Sequence, residues 1–176
     1  MIGTVWAKKD FMPEQKIIEL ARKDEREGKS PSTQAGEFVR EEFHHIREGK
    51  HGARSAKQAI AIGLSKARRA GVKLPPPSRG RVSQKIRRQA ERDYEKGQHH
   101  GNSHVSRRRS RATLEALRHE DYRAGSALAI SRQVRNAARH RTRAERLAAA
   151  RRAVRAKGPA GLSAAGRKAA RTRKSH

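Results

Sequence analysis

The chain has 176 residues and carries 44 Lys/Arg against 17 Asp/Glu, a formal net charge of +27. Apolar residues make up 34% and aromatics 3%, which excludes one core spanning the whole length, because too little apolar surface exists to offset the entropy of ordering it. The absence of cysteine excludes a disulfide framework and a thiolate metal site, and no run approaches the ~20 apolar residues of a membrane-spanning helix.

The N-terminal segment, MIGTVWAKKDFMPEQ, lacks the long apolar region of a secretory signal, so the sequence is read as that of a cytoplasmic protein. Residues 1–50 hold ten Lys/Arg and ten Asp/Glu, whereas residues 51–176 hold 34 and seven. Residues 123–176 hold sixteen basic groups and one acid, Glu145. Such asymmetry marks a neutral folded part joined to a part that binds polyanions.

The first predicted helix has Pro13 in its first turn, Ile17, Ile18, Leu20 and Ala21 inside, and Gly28 as its stop. The second is capped by Ser30 with Pro31 after it. It carries the stripe Ala35, Phe38, Val39, Phe43 and Ile46, and ends at Gly49. Its acids read as surface groups, with Glu37 and Glu41 flanking Arg40. The third starts at a capping box, Ser55 with Gln58, runs to Ala70 and stops at Gly71. The three share a predicted core of Ile17, Leu20, Phe38, Val39, Phe43, Ile46, Ile60, Leu64 and Ala67, closed by Val72 and Leu74. A core this small is marginal and invites self-association or a partner.

The prolines of 74–81, LPPPSRGR, predict an extended spacer. Beyond it, Ser83 to Lys96 reads as a solvated helix docking weakly through Ile86, Ala90 and Tyr94. QHHGNSH is a loop, and a thin amphipathic helix with Ala112, Leu114 and Leu117 follows. No Gly or Pro interrupts Ala127 to Lys157, which predicts one long Ala/Arg-rich helix, and the remainder reads as a tail. The expected architecture is all-α: a helical head over 1–74, a Pro-rich linker over 75–82, a basic helical segment over 83–125, a long helix over 126–157 and a disordered basic tail over 158–176, with the basic helices loosely packed or extended.

The basic end repeats at a 16-residue step: RNAARHR from Arg135, RRAVRAK from Arg151 and RKAARTR from Arg167. The pattern is either a duplicated unit or a product of Ala/Arg composition. On a helix the first and fifth positions share a face, pairing Arg135 with Arg139, Arg151 with Arg155 and Arg167 with Arg171. Such like-charge pairs weaken an isolated helix slightly, and phosphates reverse the sign, so these segments are expected to gain helicity on binding.

Arginine forks meet phosphate oxygens, and neutralised phosphates release counterions without reading sequence. The candidate nucleic-acid contacts are Arg107, Arg108, Arg109, Arg111, Arg135, Arg139, Arg141, Arg151, Arg152, Arg155, Lys157, Arg167, Lys168, Arg171, Arg173 and Lys174. No recognition helix stands out, and only Tyr94 and Tyr122 offer stacking after residue 50, so non-specific duplex binding is favoured. His44, His45 and His51, and separately His99, His100 and His104, lie close in sequence. Adjacent His44 and His45 point to different sides of a helix, and the HHGNSH loop has no second ligand group at recognised spacing, so no metal and no cofactor is expected, and the histidines read as added charge at mildly acidic pH. No phosphate loop, nucleophile elbow or zincin motif is present, so no catalysis is expected.

The stretch EEFHHIREGKHGARSAKQAIAIGLSKA, residues 41–67, resembles a family of small basic bacterial proteins of uncharacterised function, often labelled DNA-binding or histone-like. Glu42-Phe43-His44, Gly49-Lys50 and the block Lys57 to Ile62 with Leu64, Ser65 and Ala67 carry the resemblance. The Ala/Arg-rich end is similar to linker-histone-like bacterial tails. The resemblance implies a helical head, a bacterial origin and no catalytic residues or cofactor.

The sequence thus points to a DNA-binding protein of the bacterial nucleoid or a plasmid, acting by phosphate neutralisation, with self-association through the head. An RNA-binding or ribosome-associated protein, and a helical interaction module with a solubilising cationic arm, are the alternatives.

Overall fold

The computed structural model describes residues 15–99 and 106–174. Pro13, His100 and His104 lie outside them. The described residues are helical with no strand: α1 Gln15–Arg26, α2 Pro31–Arg47, α3 Ala56–Arg69, α4 Gln84–Gln98, α5 Arg107–Arg118, a 3-10 turn Tyr122–Gly125, α6 Ala127–Arg139 and α7 Arg143–Lys174. The chain forms two compact units, one up to Gln133 and one from Val134 onward.

In the first unit, helix ends follow the predicted punctuation. Gly28, Gly49 and Gly71 adopt positive φ, which side chains disfavour. The Ser55 hydroxyl accepts from Gln58 N at 3.2 Å, and Gln58 Oε1 accepts from Arg54 N at 2.9 Å. Ser30 occupies its cap position, but its hydroxyl turns instead to Ser32 and Thr33.

α2 packs on α1, α3 and the 3-10 turn, and α3 also packs on α4. Two apolar clusters result. One joins Phe38 and Ala35 of α2 to Ala21, Ala67 and Val72. The other joins Phe43 and Ile46 to Ala53, Ala56, Ala59 and Ala124. α2 and α3 approach closely at Gly63, where a Cβ would stand 2.7 Å from the Val39 Cα. Gly97 plays the same part in α4, where a Cβ would collide with the Arg68 carbonyl.

Of the predicted core, Phe38, Phe43, Ile46, Ala67 and Val72 are buried, and Ile17, Val39, Ile60, Leu64 and Leu74 are partly buried. Leu20 is exposed. Much of the remaining core is alanine: Ala53 in the loop before α3, and Ala35, Ala56 and Ala59 on α2 and α3, where closely spaced helices leave room for little else.

The folded part extends well past residue 74. α4 buries Ala90, Asp93 and Gly97, so it is a packed helix rather than a weakly docked one. Asp93 is its anchor: it accepts from the Ser65 hydroxyl of α3 at 2.7 Å and from Gln89 at 3.1 Å. The proline stretch lies outside any helix. It is also held at its start, since Arg68 donates to the Leu74 and Pro75 carbonyls at 3.2 and 3.4 Å. Leu114 and Leu117 of α5 are buried, and Gly52 N and Ala53 N donate to the Leu117 and Asp121 carbonyls at 2.9 and 3.1 Å.

The second unit is helical without a core. None of its described side chains is buried. The single helix predicted over 126–157 is divided at His140–Thr142. There Thr142 and Glu145 form a reciprocal capping box, Thr142 N donating to Glu145 Oε2 at 2.9 Å and Glu145 N to Thr142 Oγ1 at 3.2 Å. Residues 158–174, predicted to be disordered, are helical as well. Gly158 leaves helical geometry at φ 63°, ψ 178°, and Pro159 starts a fresh helical piece, a position where its missing N–H costs nothing.

Candidate nucleic-acid interface and a buried polar cluster

The cationic residues of the second unit stand on three helical pieces, and each piece carries one copy of the 16-residue repeat. Arg135 and Arg139 lie on α6, Arg151 and Arg155 on α7 before Gly158, and Arg167 and Arg171 on α7 after it. All six are exposed, as are Arg141, Arg152, Lys157, Lys168 and Arg173. Lys174 ends α7. In the middle piece, Leu147 and Val154 share one face. Helical spacing puts Arg143, Arg146 and Lys157 on one side of it and Arg151, Arg152 and Arg155 on the other. The second arginine of each pair, Arg139, Arg155 and Arg171, stands in the last turn of its helical piece, where the helix dipole favours positive charge.

The other predicted contacts open α5 in the first unit. Ser106 caps that helix, accepting from Arg109 N at 3.5 Å, and Arg107 is its first residue. Arg108, Arg109 and Arg111 are exposed. The predicted contacts therefore divide between the two units.

A second constellation lies inside the first unit. Glu42 and His45 are three residues apart on α2, so they share a face, and both point inward. His51 arrives from the loop after α2 and Lys66 from α3. Relative exposures are 0% for Glu42, 3% for His45, 2% for His51 and 1% for Lys66. Lys66 Nζ stands 2.8 Å from Glu42 Oε2, an ion pair whose angles fall outside hydrogen-bond alignment. His51 Nε2 stands 3.4 Å from Glu42 Oε1, and the two imidazoles meet edge to face with centroids 6.0 Å apart.

The orientation of His51 is set from behind. Its Nδ1 lies 3.0 Å from the Gly52 carbonyl, which can only accept, so Nδ1 carries the proton and Nε2 is the atom turned to the carboxylate. The backbone at Gly52 and Ala53 is itself tied to Leu117 and Asp121. Burial, followed by the nearby positive charges of Lys66 and Lys50, holds the His45 pKa below 6.5. His45 is thus kept neutral rather than serving as added charge.

This cluster was not legible in the sequence. Adjacent His44 and His45 do diverge, His44 pairing with Glu48 at 2.9 Å on the surface. The Arg40–Glu37 pair at 2.6 Å is the expected surface chemistry, but Glu41 is buried. Glu42 looked like another surface acid and Lys66 like another cation. The available signal was that Glu42 sits between Phe38, Val39 and Phe43 on the inward stripe.

Among the described residues, no helix is long and apolar enough to cross a membrane. Residues 30–78 match the model of a family of unknown function (DUF6496). That stretch covers α2, α3 and the proline segment, and with them Glu42, His45, His51 and Lys66. No curated protein and no solved structure matches the chain.

Proposed function

We propose that the protein binds nucleic acid without reading its sequence, with duplex DNA as the target, through phosphate neutralisation by the exposed cations of its second unit. The observation that carries this reading is the composition of a segment without a core. Residues 134–176 hold fourteen Lys/Arg and one acid, Glu145, and none of the described side chains there is buried. Helical stretches that bury no side chain gain little from packing, and their own arginines repel. Phosphates supply the counter-charge and the partner at once. The repeat copies, one per helical piece, present arginine pairs spaced one helical turn apart, and the breaks at His140–Thr142 and Gly158 let each piece follow a curved backbone separately.

The reading requires no catalytic group and no cofactor. A nucleoid or histone-like role in a bacterial cell is its natural setting. The first unit would supply partner contact or self-association, and Arg107, Arg108, Arg109 and Arg111 at the start of α5 would add to the grip.

The test is a salt titration of full-length protein on duplex DNA of mixed sequence. Contact with about 8 phosphates gives a log–log slope of about −7. Replacing Arg135, Arg139, Arg151, Arg155, Arg167 and Arg171 together by Gln flattens the slope to about −2. A shallow slope in the parent protein, or one untouched by the six substitutions, defeats the proposal. Equal competition by duplex RNA makes the protein a general polyanion binder, and binding that survives intact in a chain ending at Gln133 transfers the function to the first unit.

A further inference from the structure

We propose that Glu42, His45 and His51 form a binding site for a divalent cation of the zinc class, inside the first unit and independent of the cationic helices. A ligand atom from each of the three lies within 4.8 Å of the others, and all three side chains are buried. Two nitrogens and one carboxylate oxygen form the donor set that suits zinc, with one position left for water or another ligand.

The supporting contacts are those of a metal-ligating histidine. His51 has one ring nitrogen engaged by a backbone carbonyl, which leaves the other, Nε2, directed at the Glu42 carboxylate. That nitrogen stands 3.4 Å from a carboxylate oxygen, a gap that a cation held by both would bridge. Neither Glu42 oxygen receives an aligned hydrogen bond, although both are buried. The helical step from Glu42 to His45 supplies two ligands from one turn of α2. The loop bearing His51 is pinned by the bonds of Gly52 and Ala53 to the end of α5. The donors are therefore positioned before the metal arrives.

Lys66 gives the site its character. Its ammonium holds Glu42 Oε2, which leaves Oε1 on the His51 side for the metal. It also places a positive charge beside a divalent cation, which weakens affinity. Glu42 thereby has a counter-charge whether or not metal is bound, so the first unit is expected to fold without metal and to take it up reversibly. Bound metal would tie α2 to the loop that follows it, and through Glu42 to Lys66 of α3.

The experiment uses full-length, chelator-treated protein at pH 7.5, titrated with Zn2+ alone and with Co2+ alone. The expected result is one tight site per chain, visible cobalt bands of a low-coordinate site, and a rise in the melting temperature of at least roughly 5 °C with saturating Zn2+. His45→Gln and His51→Gln each weaken that site by about 100-fold or more, while His44→Gln on the exposed side of α2 leaves it unchanged. Lys66→Met tightens it by about tenfold and makes folding of the first unit depend on Zn2+.

Should the histidine variants not fold, nitrogen-detected NMR of the parent protein decides. Two imidazoles out of nine must respond to one equivalent of Zn2+, one of them through Nε2 with Nδ1 still protonated. No stoichiometric site, a site that survives both substitutions, a response confined to other histidines, or no tightening in Lys66→Met overturns the proposal.

Discussion

Up to Gln133 the helices of this chain cover one another's side chains; from Val134 to Arg173 they cover none. Both regions use the same element and much of the same alphabet of Ala, Arg and Lys. The difference lies in a handful of large apolar residues. Phe38, Phe43 and Ile46 on α2 give α1, α3 and the 3-10 turn something to bury against. In the second region Val134, Leu147, Val154 and Leu162 are exposed and widely spaced. Alanine behaves differently in the two settings: around α2 it permits close packing, whereas in α7 it only sustains helix propensity. A helix in the first region is held by its neighbours. A helix in the second is held by its own caps and propensity.

The sharpest way to break this comparison lies at the ion pair within the first region. Lys66→Ala leaves the Glu42 carboxylate buried without its counter-charge and is expected to cost about 3–5 kcal/mol in urea unfolding. Replacing both partners, Glu42→Leu with Lys66→Met, recovers most of that loss, because an apolar pair of similar size needs no solvation. A single substitution that costs under about 1 kcal/mol would mean that water reaches the pair.

Glycine substitutions sharpen the contrast at the next level. At Gly63 an added Cβ would press on the Val39 backbone, so Gly63→Ala is expected to destabilise by about 1–3 kcal/mol despite alanine's better helix propensity. At Gly166, where an added Cβ meets nothing within 4 Å, the same change is expected to favour the helix by about 1 kcal/mol. Thermal unfolding of the first, and helical content by circular dichroism of the second, should move in opposite directions. Equal signs would mean that the two regions are not held by different forces.

The smallest effect is a pH dependence. His45 has its pKa lowered from 6.5, chiefly by burial. The unfolded chain therefore takes up a proton near pH 6.5 that the folded state refuses. Stability in chelator-treated protein is full above pH 6.5 and falls as the pH drops below it. His45→Gln should remove that part of the acid slope, whereas His44→Gln should not. An unchanged slope in His45→Gln would place the titrating group elsewhere.

Much of the fold could be read from local chemistry. Glycine stops at 28, 49 and 71, the Ser55 capping box and the stripe Ala35, Phe38, Val39, Phe43 and Ile46 act within one or two helical turns, and the helices start, stop and face as those residues dictate. The break at Thr142 was legible too, as a Thr-x-x-Glu box within an alanine-rich run, but propensity overshadowed it. The fate of α4 was not legible. Its thin stripe looked solvated, yet Asp93 reaches Ser65, a residue 28 positions earlier in the chain.

The candidate sites divide along the same line. Net charge is a sum over residue types, so the sequence by itself determined that one end of this protein is a dense, solvated array of arginine. Burial is a property of neighbours brought in by the fold. Only the tertiary structure decided that Glu42, His45, His51 and Lys66, spread over 25 residues and three segments, lose their water together and face one another. A buried charge must find its partner in space, and helix packing, which no local pattern encodes, sets that distance.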